Sequence, residues 1–410
     1  MAFVTFYFQI HQPRRLNEVD LINFSQGYHE DLEKAYFNDG LNSLVFNRTA
    51  NNCYFPATEI ILSNIEKFKN SDRPFKVAFS MSGTFLDQCL MFRPDLIDLF
   101  KRLYDTGCVE LLGETYYHSL ASLYEKRDEF ETQVMMHSDR IKEIFGARPT
   151  TFRNTELLYN NAIAREVYDM GFKAILTEGL QHVLKWRSPD YVYRAKGSDI
   201  KVLLRNYGVS DEIGYRFTHK LVTADLFASW LSKITGETCN IFVDYETFGE
   251  HQWRDTGILE FLRHLPEAIL KYDHLIFATP GQVADVCPAN DEIDVFEYST
   301  ISWADLERDS SAWLGNDAQK SAYGIIKDME TMVKQINDEK FLRIWRNLQT
   351  SDHLYFMCNK WLGDGDVHGY FSHYSSIWKA IGNLFMILHD FQKALGYKLA
   401  EISKTVISDQ

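Results

Sequence analysis

Through the first 280 residues, short runs of β-branched and aromatic residues alternate with longer stretches whose apolar positions recur at helical spacing. The runs predict strands over 3–9, 76–80, 109–113, 151–155, 173–177, 201–205, 240–244 and 274–278. Amphipathic stretches between them, such as 95–105, 129–145 and 161–170, predict helices. Strand alternating with helix implies a parallel sheet with right-handed crossovers, and seven or eight such units point to a closed α/β barrel. After about residue 297 no strand alternation is evident. Ala322, Ile325, Ile326, Met329, Met332, Val333 and Ile336 recur at helical spacing, and 341–348 and 377–395 also read as helices. The expected division is a barrel domain over 1–299 and a helical domain over 300–410.

Composition narrows the functional classes. The formal net charge is −14 and no basic run stands out, which disfavours nucleic acid and anionic membrane surfaces as partners. No apolar stretch approaches membrane-spanning length, and the apolar start Met1 to Gln9 lacks a basic flank, so it reads as a first strand. Cys53, Cys89, Cys108, Cys239, Cys287 and Cys358 are scattered without a CxxC pair, as expected of a reduced, cytoplasmic protein. Aromatic residues make up 14% of the chain, enough for flat rings to line a sugar-binding cleft as well as a core.

Candidate chemistry gathers where strands should end, the place barrel enzymes build their sites. The first strand runs into His11-Gln12-Pro13, and the third into Gly113-Glu114 followed by Tyr116, Tyr117 and His118. The fourth ends in Arg153-Asn154-Thr155-Glu156, before Asn160 and Asn161, which suit a helix cap. The apolar run Asn240-Ile241-Phe242-Val243 ends in Asp244-Tyr245-Glu246-Thr247-Phe248-Gly249-Glu250. No nucleophile elbow, Walker loop, GxGxxG or HExxH accompanies these acids. Several carboxylates with little else favour glycoside cleavage, in which one stabilises the anomeric carbon while another donates a proton. Metal-assisted hydrolysis and a non-enzymatic role stay open on the residues alone. Gly363-Asp364-Gly365-Asp366 lacks the spacing of a calcium loop and is expected to be a plain turn.

Five strings, in order, resemble the signature regions of glycoside hydrolase family 57: His11-Gln12-Pro13, Gly113-Glu114, Phe152-Arg153-Asn154-Thr155-Glu156-Leu157, Asp244 to Gly249, and Thr350-Ser351-Asp352-His353. The tract from Ser302-Trp303-Ala304-Asp305 to Trp313-Leu314-Gly315-Asn316 resembles the α-amylase-type branch of that family. The resemblance implies an incomplete (β/α)7 barrel followed by a C-terminal helical domain that completes the cleft. It also implies a retaining enzyme acting on α-glucans or maltooligosaccharides, an α-amylase or a 4-α-glucanotransferase, with no metal or organic cofactor. Glu156 becomes the nucleophile and Asp244 the general acid/base, while His11, Gln12, Glu246 and Asp352 hold the sugar. Glu114 and His118 fall in the region that fits least closely. Arg153 reads as a support that keeps Glu156 ionised by proximity. Trp303, Trp313 and Trp361 are candidates to line the glucan groove. A catalytically inactive glucan-binding relative is the alternative.

Overall fold

The computed structural model describes residues 1–19 and 31–408. Its sheet is built from β1 (Ala2–Ile10), β2 (Val77–Met81), β3 (Val109–Leu112), β4 (Thr151–Arg153), β5 (Ala174–Glu178), β6 (Val192–Ala195), β7 (Lys201–Arg205), β8 (Thr238–Asp244), β9 (Leu275–Phe277) and β10 (Glu292–Ile293). Seven of these close a parallel ring in the order β1-β2-β3-β4-β5-β7-β8 and back to β1. Two joints of the ring are thin. β3 meets β4 only through Gly113 opposite Phe152, and β7 meets β8 only through Arg205 opposite Asn240. The architecture is an incomplete TIM-like barrel with a helical C-terminal region.

The eighth expected strand, β9, lies outside the ring for a geometrical reason. One edge of β1 is taken along its length by β8, from Phe3 opposite Thr238 to Gln9 opposite Asp244. The other edge is shared: β2 pairs with Tyr7 to Ile10, and β9 with Ala2 to Val4. β9 therefore fills the space below β2 and closes nothing. β6 and β10 were not anticipated. They form a flap in which β6 runs antiparallel to β7 and β10 continues beside β6. A four-residue and a two-residue strand within a crossover are too short to show a period.

Alternation along β1 sorts the interior. Val4, Phe6, Phe8 and Ile10 join the apolar cluster that includes Ile61, Leu96, Phe100, Phe261 and Leu262 of the surrounding helices. Tyr7, on the opposite face, clusters with Ala78, Leu112, Leu176, Leu203 and Phe242. That second face also carries polar groups that satisfy one another, as where Thr5 Oγ1 donates to Asn240 Oδ1 at 2.8 Å. The helix Asn161–Asp169 starts where expected, with Asn160 Oδ1 accepting from Ile163 N.

The chain divides into two compact units, but not at one point. The first comprises Met1–Gln12, Leu44–Tyr116 and Asp128–Trp303; the second comprises Pro13–Ser43, Tyr117–Arg127 and Ala304–Gln410. The contiguous division at 299/300 thus differs from the compact units by two excursions, which pack with the helical unit, and by a boundary that falls after Trp303. That unit contains Asp317–Asp328, Glu330–Ile336, Glu339–Leu348, Ser351–Tyr355, Leu362–Phe371 and Ile377–Ser408 as its main helices. The stretch 363–366, expected as a turn, lies within Leu362–Phe371; the side chains of 363 and 364 lie outside the described residues. Among the described residues no helix is long and apolar enough to cross a membrane. All six cysteines are buried and free.

Gly113 closes the β3–β4 joint, with its N–H on Thr151 O and its carbonyl accepting from Arg153 N, both at 2.8 Å. A Cβ there would stand 2.6 Å from the Phe172 ring. Gly113→Ala should lower stability by about 1–3 kcal/mol, the usual cost of overpacking, read as a reduced midpoint in urea unfolding. An unchanged midpoint would mean that Phe172 yields freely and that this joint does not limit the barrel.

Candidate active site at the carboxyl ends of the ring strands

Glu156 follows β4 after three residues, in a single 3-10 turn. It and Leu157 both adopt left-handed backbone, with φ of 55° and 54°. For two consecutive side-chain-bearing residues that is a sparsely populated conformation, which costs about 1–3 kcal/mol each and persists only where the surroundings enforce it. Here Trp303 enforces it. Its Nε1 donates to Glu156 Oε2 at 2.7 Å, and its backbone N–H reaches Glu156 O at 3.4 Å. The carboxylate remains half-buried while Thr155 and Leu157 beside it are buried.

Asp244, also half-buried, is the last residue of β8 and stands opposite Gln9 of β1. Glu246, two residues on, is buried, and Tyr54 donates to its Oε1. Burial first, then repulsion from Asp244, pushes the Glu246 carboxyl up to about 8, while the Tyr54 hydrogen bond and the His11 backbone pull it down. Gln12 Nε2 donates to Tyr54 Oη at 3.1 Å, and Gln12 O accepts from Gln88. His11 Nδ1 lies 2.7 Å from Ser82 Oγ and 3.4 Å from Thr84 Oγ1.

Beneath these groups lies a charged floor. Arg153 is wholly buried, with Phe242 under its guanidinium at 4.8 Å. Among the described residues none of its three side-chain nitrogens has a hydrogen-bond partner. Desolvation lowers its pKa, opposed by the charges of Glu114, Glu156 and Asp244 in that order. Arg205, equally buried, is fully engaged: it donates to Glu178 at 2.9 Å, Asp211 at 2.6 Å and Phe242 O at 3.1 Å. Glu114 accepts from Ser80 Oγ at 2.8 Å and from Gln9 Nε2 at 3.2 Å.

His11, Gln12, Glu114, Arg153, Glu156, Asp244, Glu246 and Trp303 are all carried by the first unit. Glu114 and Arg153 have no exposed surface there. In the second unit, His118 and Asp352 are neighbours: Ser351 N donates to His118 O at 3.0 Å, and Ser119 pairs with Thr350. Thr350 is the N-cap residue of Ser351–Tyr355, which carries Asp352 in its first turn. Trp313 is 1% exposed and packs against Tyr355. Trp361 is 85% exposed. Tyr54 and Ser82 were not anticipated. Tyr54 ends the single π-helical turn Ala50–Tyr54, an irregularity found often at functional sites but one that no apolar period reveals. Among the described residues no three His, Cys, Asp or Glu side chains are grouped to hold a metal ion.

The model of glycosyl hydrolase family 57 matches residues 5–296. The chain belongs to this family. A protein of Methanocaldococcus jannaschii, named as a candidate alpha-amylase, is 45% identical over 411 aligned positions, covering 97% of this chain and 86% of its own. The fold is similar to that of a family 57 branching enzyme from Thermococcus kodakaraensis, solved with glucose, at a TM-score of 0.68 and 13% identity over 96% of this chain and 90% of that one. It is also similar to an alpha-amylase from Thermotoga maritima, at a TM-score of 0.62 and 12% identity over 97% and 93% of the two chains. As a member of family 57 the chain is a glycoside hydrolase, and the half-buried acids at its strand ends are where that chemistry has its candidates.

A carboxyl that holds its proton to about pH 8 in the fold, against an ordinary 4.5, binds that proton more tightly than the unfolded chain does. Its contribution to stability is complete below the ordinary range and is lost as pH rises through the folded value. Glu246→Gln, which cannot ionise, should match the wild type in urea unfolding at about pH 4 and exceed it at about pH 9. The same difference at both pH values would contradict a neutral, buried Glu246.

Proposed function

We propose that this family 57 enzyme hydrolyses α-1,4-glucans and maltooligosaccharides with retention of configuration, as an α-amylase. The observation that carries the reading is the pair Glu156 and Asp244. They are half-buried acids on two strand ends, both acting electrostatically on the one buried guanidinium of Arg153. Glu156 is the nucleophile. Its attack on the anomeric carbon forms the glycosyl–carboxylate bond as the glycosidic bond breaks, and Asp244 passes its proton to the departing oxygen. Asp244 then takes a proton from water, which attacks the same carbon and frees Glu156. This course requires roughly 5–5.5 Å between the two carboxyl groups.

The surroundings suit these roles. A nucleophile must be ionised, and the Trp303 N–H on its oxygen and the Arg153 charge both favour the anion. Glu246, neutral near pH 7, can hold a sugar hydroxyl beside Asp244 without adding a second negative charge. His11 and Gln12 position the sugar on the β1 side. The six free thiols accord with a cytoplasmic enzyme. Transfer to another sugar would use the same acid pair, with an acceptor hydroxyl in place of water.

Maltoheptaose followed by anomeric proton NMR tests the reading. The α-anomer should appear first in shortened chains, with no products longer than seven units. Longer products would identify a glucanotransferase, and early β-anomer would remove Glu156 as nucleophile. Glu156→Gln and Asp244→Asn should each lower kcat at least about 100-fold. Binding without turnover in the wild type would leave a glucan-binding protein.

A further inference from the structure

Phe296 and Tyr298 are 55% and 88% exposed. Their rings are parallel to within 5°, with centroids 5.6 Å apart. Single exposed aromatics are ordinary, but two held in one orientation imply a shape kept for contact. Phe296 caps, and Tyr298 sits on, the one-turn 3-10 helix Glu297–Ser299, whose backbone is pinned on both sides. Ahead of it, Asn161 N donates to Val295 O at 2.8 Å and Val295 N to Asn161 Oδ1 at 2.9 Å. After it, Tyr159 and Ile301 exchange two backbone hydrogen bonds of 3.0 Å, and Asn160 Nδ2 holds Thr300 Oγ1 at 2.8 Å. The rings are thus presented by a backbone already ordered, so binding would cost little further entropy.

We infer that Phe296 and Tyr298 form a second carbohydrate-binding platform, apart from the carboxylates, that holds a linear α-glucan by the apolar faces of successive sugar rings. The occupant follows from three features. Parallel rings match a polymer that repeats one flat face, whereas a protein partner would need a broader apolar area. The pair is bordered by Glu297, Ser299 and the Lys196–Asp294 ion pair, polar groups that suit hydroxyls and not acyl chains. Finally, the segment that bears the platform runs on to Trp303, whose indole holds Glu156. Trp303 is five positions after Tyr298, at most about 18 Å along the chain, so a long glucan near one lies near the other. Trp186, 88% exposed, is carried on the same edge, because its neighbour Arg187 bonds Asp291 and the carbonyl of Glu292. It is a candidate to extend the platform.

The platform rests on the α-glucan reading, and one comparison separates the two. Wild type and the double variant Phe296→Ala/Tyr298→Ala are run through native gels with and without glycogen, and both are assayed on maltotetraose. The variant should bind glycogen at least roughly fivefold more weakly, the order expected for losing two aromatic contacts, with maltotetraose turnover within about twofold of wild type. Unchanged retardation of an active variant would overturn the platform alone. Equal losses in both assays would also overturn it, since the rings would then serve the cleft or the fold. A wild type that neither binds nor cleaves either glucan would remove the α-glucan reading and the platform together. Ring-dependent retardation without any cleavage would uphold the platform and sink α-glucan hydrolysis.

Discussion

A guanidinium placed inside a protein without water needs negative charge around it, and two stand beside the Phe242 ring in this barrel. Arg205 is neutralised directly, by Glu178 and Asp211. Arg153 is not: its donors make no hydrogen bond among the described residues, and its charge is offset through space by Glu114, Glu156 and Asp244. The carboxylates at the rim and the cation in the floor therefore depend on each other. Removing the acids would leave a buried, unpaired cation, and removing the cation would leave the acids facing one another. Fold stability and candidate chemistry share this one electrostatic constraint, as they do at many sites where ionisation is tuned.

The segment after β8 is held by a different means. Gly249 has φ of 135°, and a Cβ there would stand 2.1 Å from Asn52 O of the π-helical turn. Only glycine permits this approach. It brings Cys53 Sγ within 3.0 Å of Tyr245 O, Asn52 Nδ2 to Glu250 at 3.0 Å, and Tyr54 onto Glu246. Two irregular pieces of backbone, a π-turn and a glycine kink, thereby set the position of a buried acid. The raised pKa of Glu246 is a consequence of that docking, because burial is its first cause.

Much of this was legible in the chain. Parallel strands covered on both faces read as apolar runs, so all seven ring strands could be found from local pattern. Glu156 and Asp244 stood out because acids at the end of apolar runs are conspicuous. The flap of β6 and β10 was not legible, since strands of four and two residues show no period. Nor was the discontinuous second unit, because the excursions Pro13–Ser43 and Tyr117–Arg127 join the helices through pairings such as Ser119 with Thr350, far apart in sequence.

Local sequence determined which residues form strands and helices, where those elements end, and which acids lie at their ends, because period and capping act over a few residues. Tertiary structure alone decided that β9 shares an edge of β1 with β2 and that the ring closes at seven. It also decided that Glu114, Arg153 and Trp313 are enclosed while Trp361 is exposed, and that Tyr54 meets Glu246 across 192 residues. Those outcomes depend on which surfaces exclude water from which side chains, and that is a property of packing between distant segments.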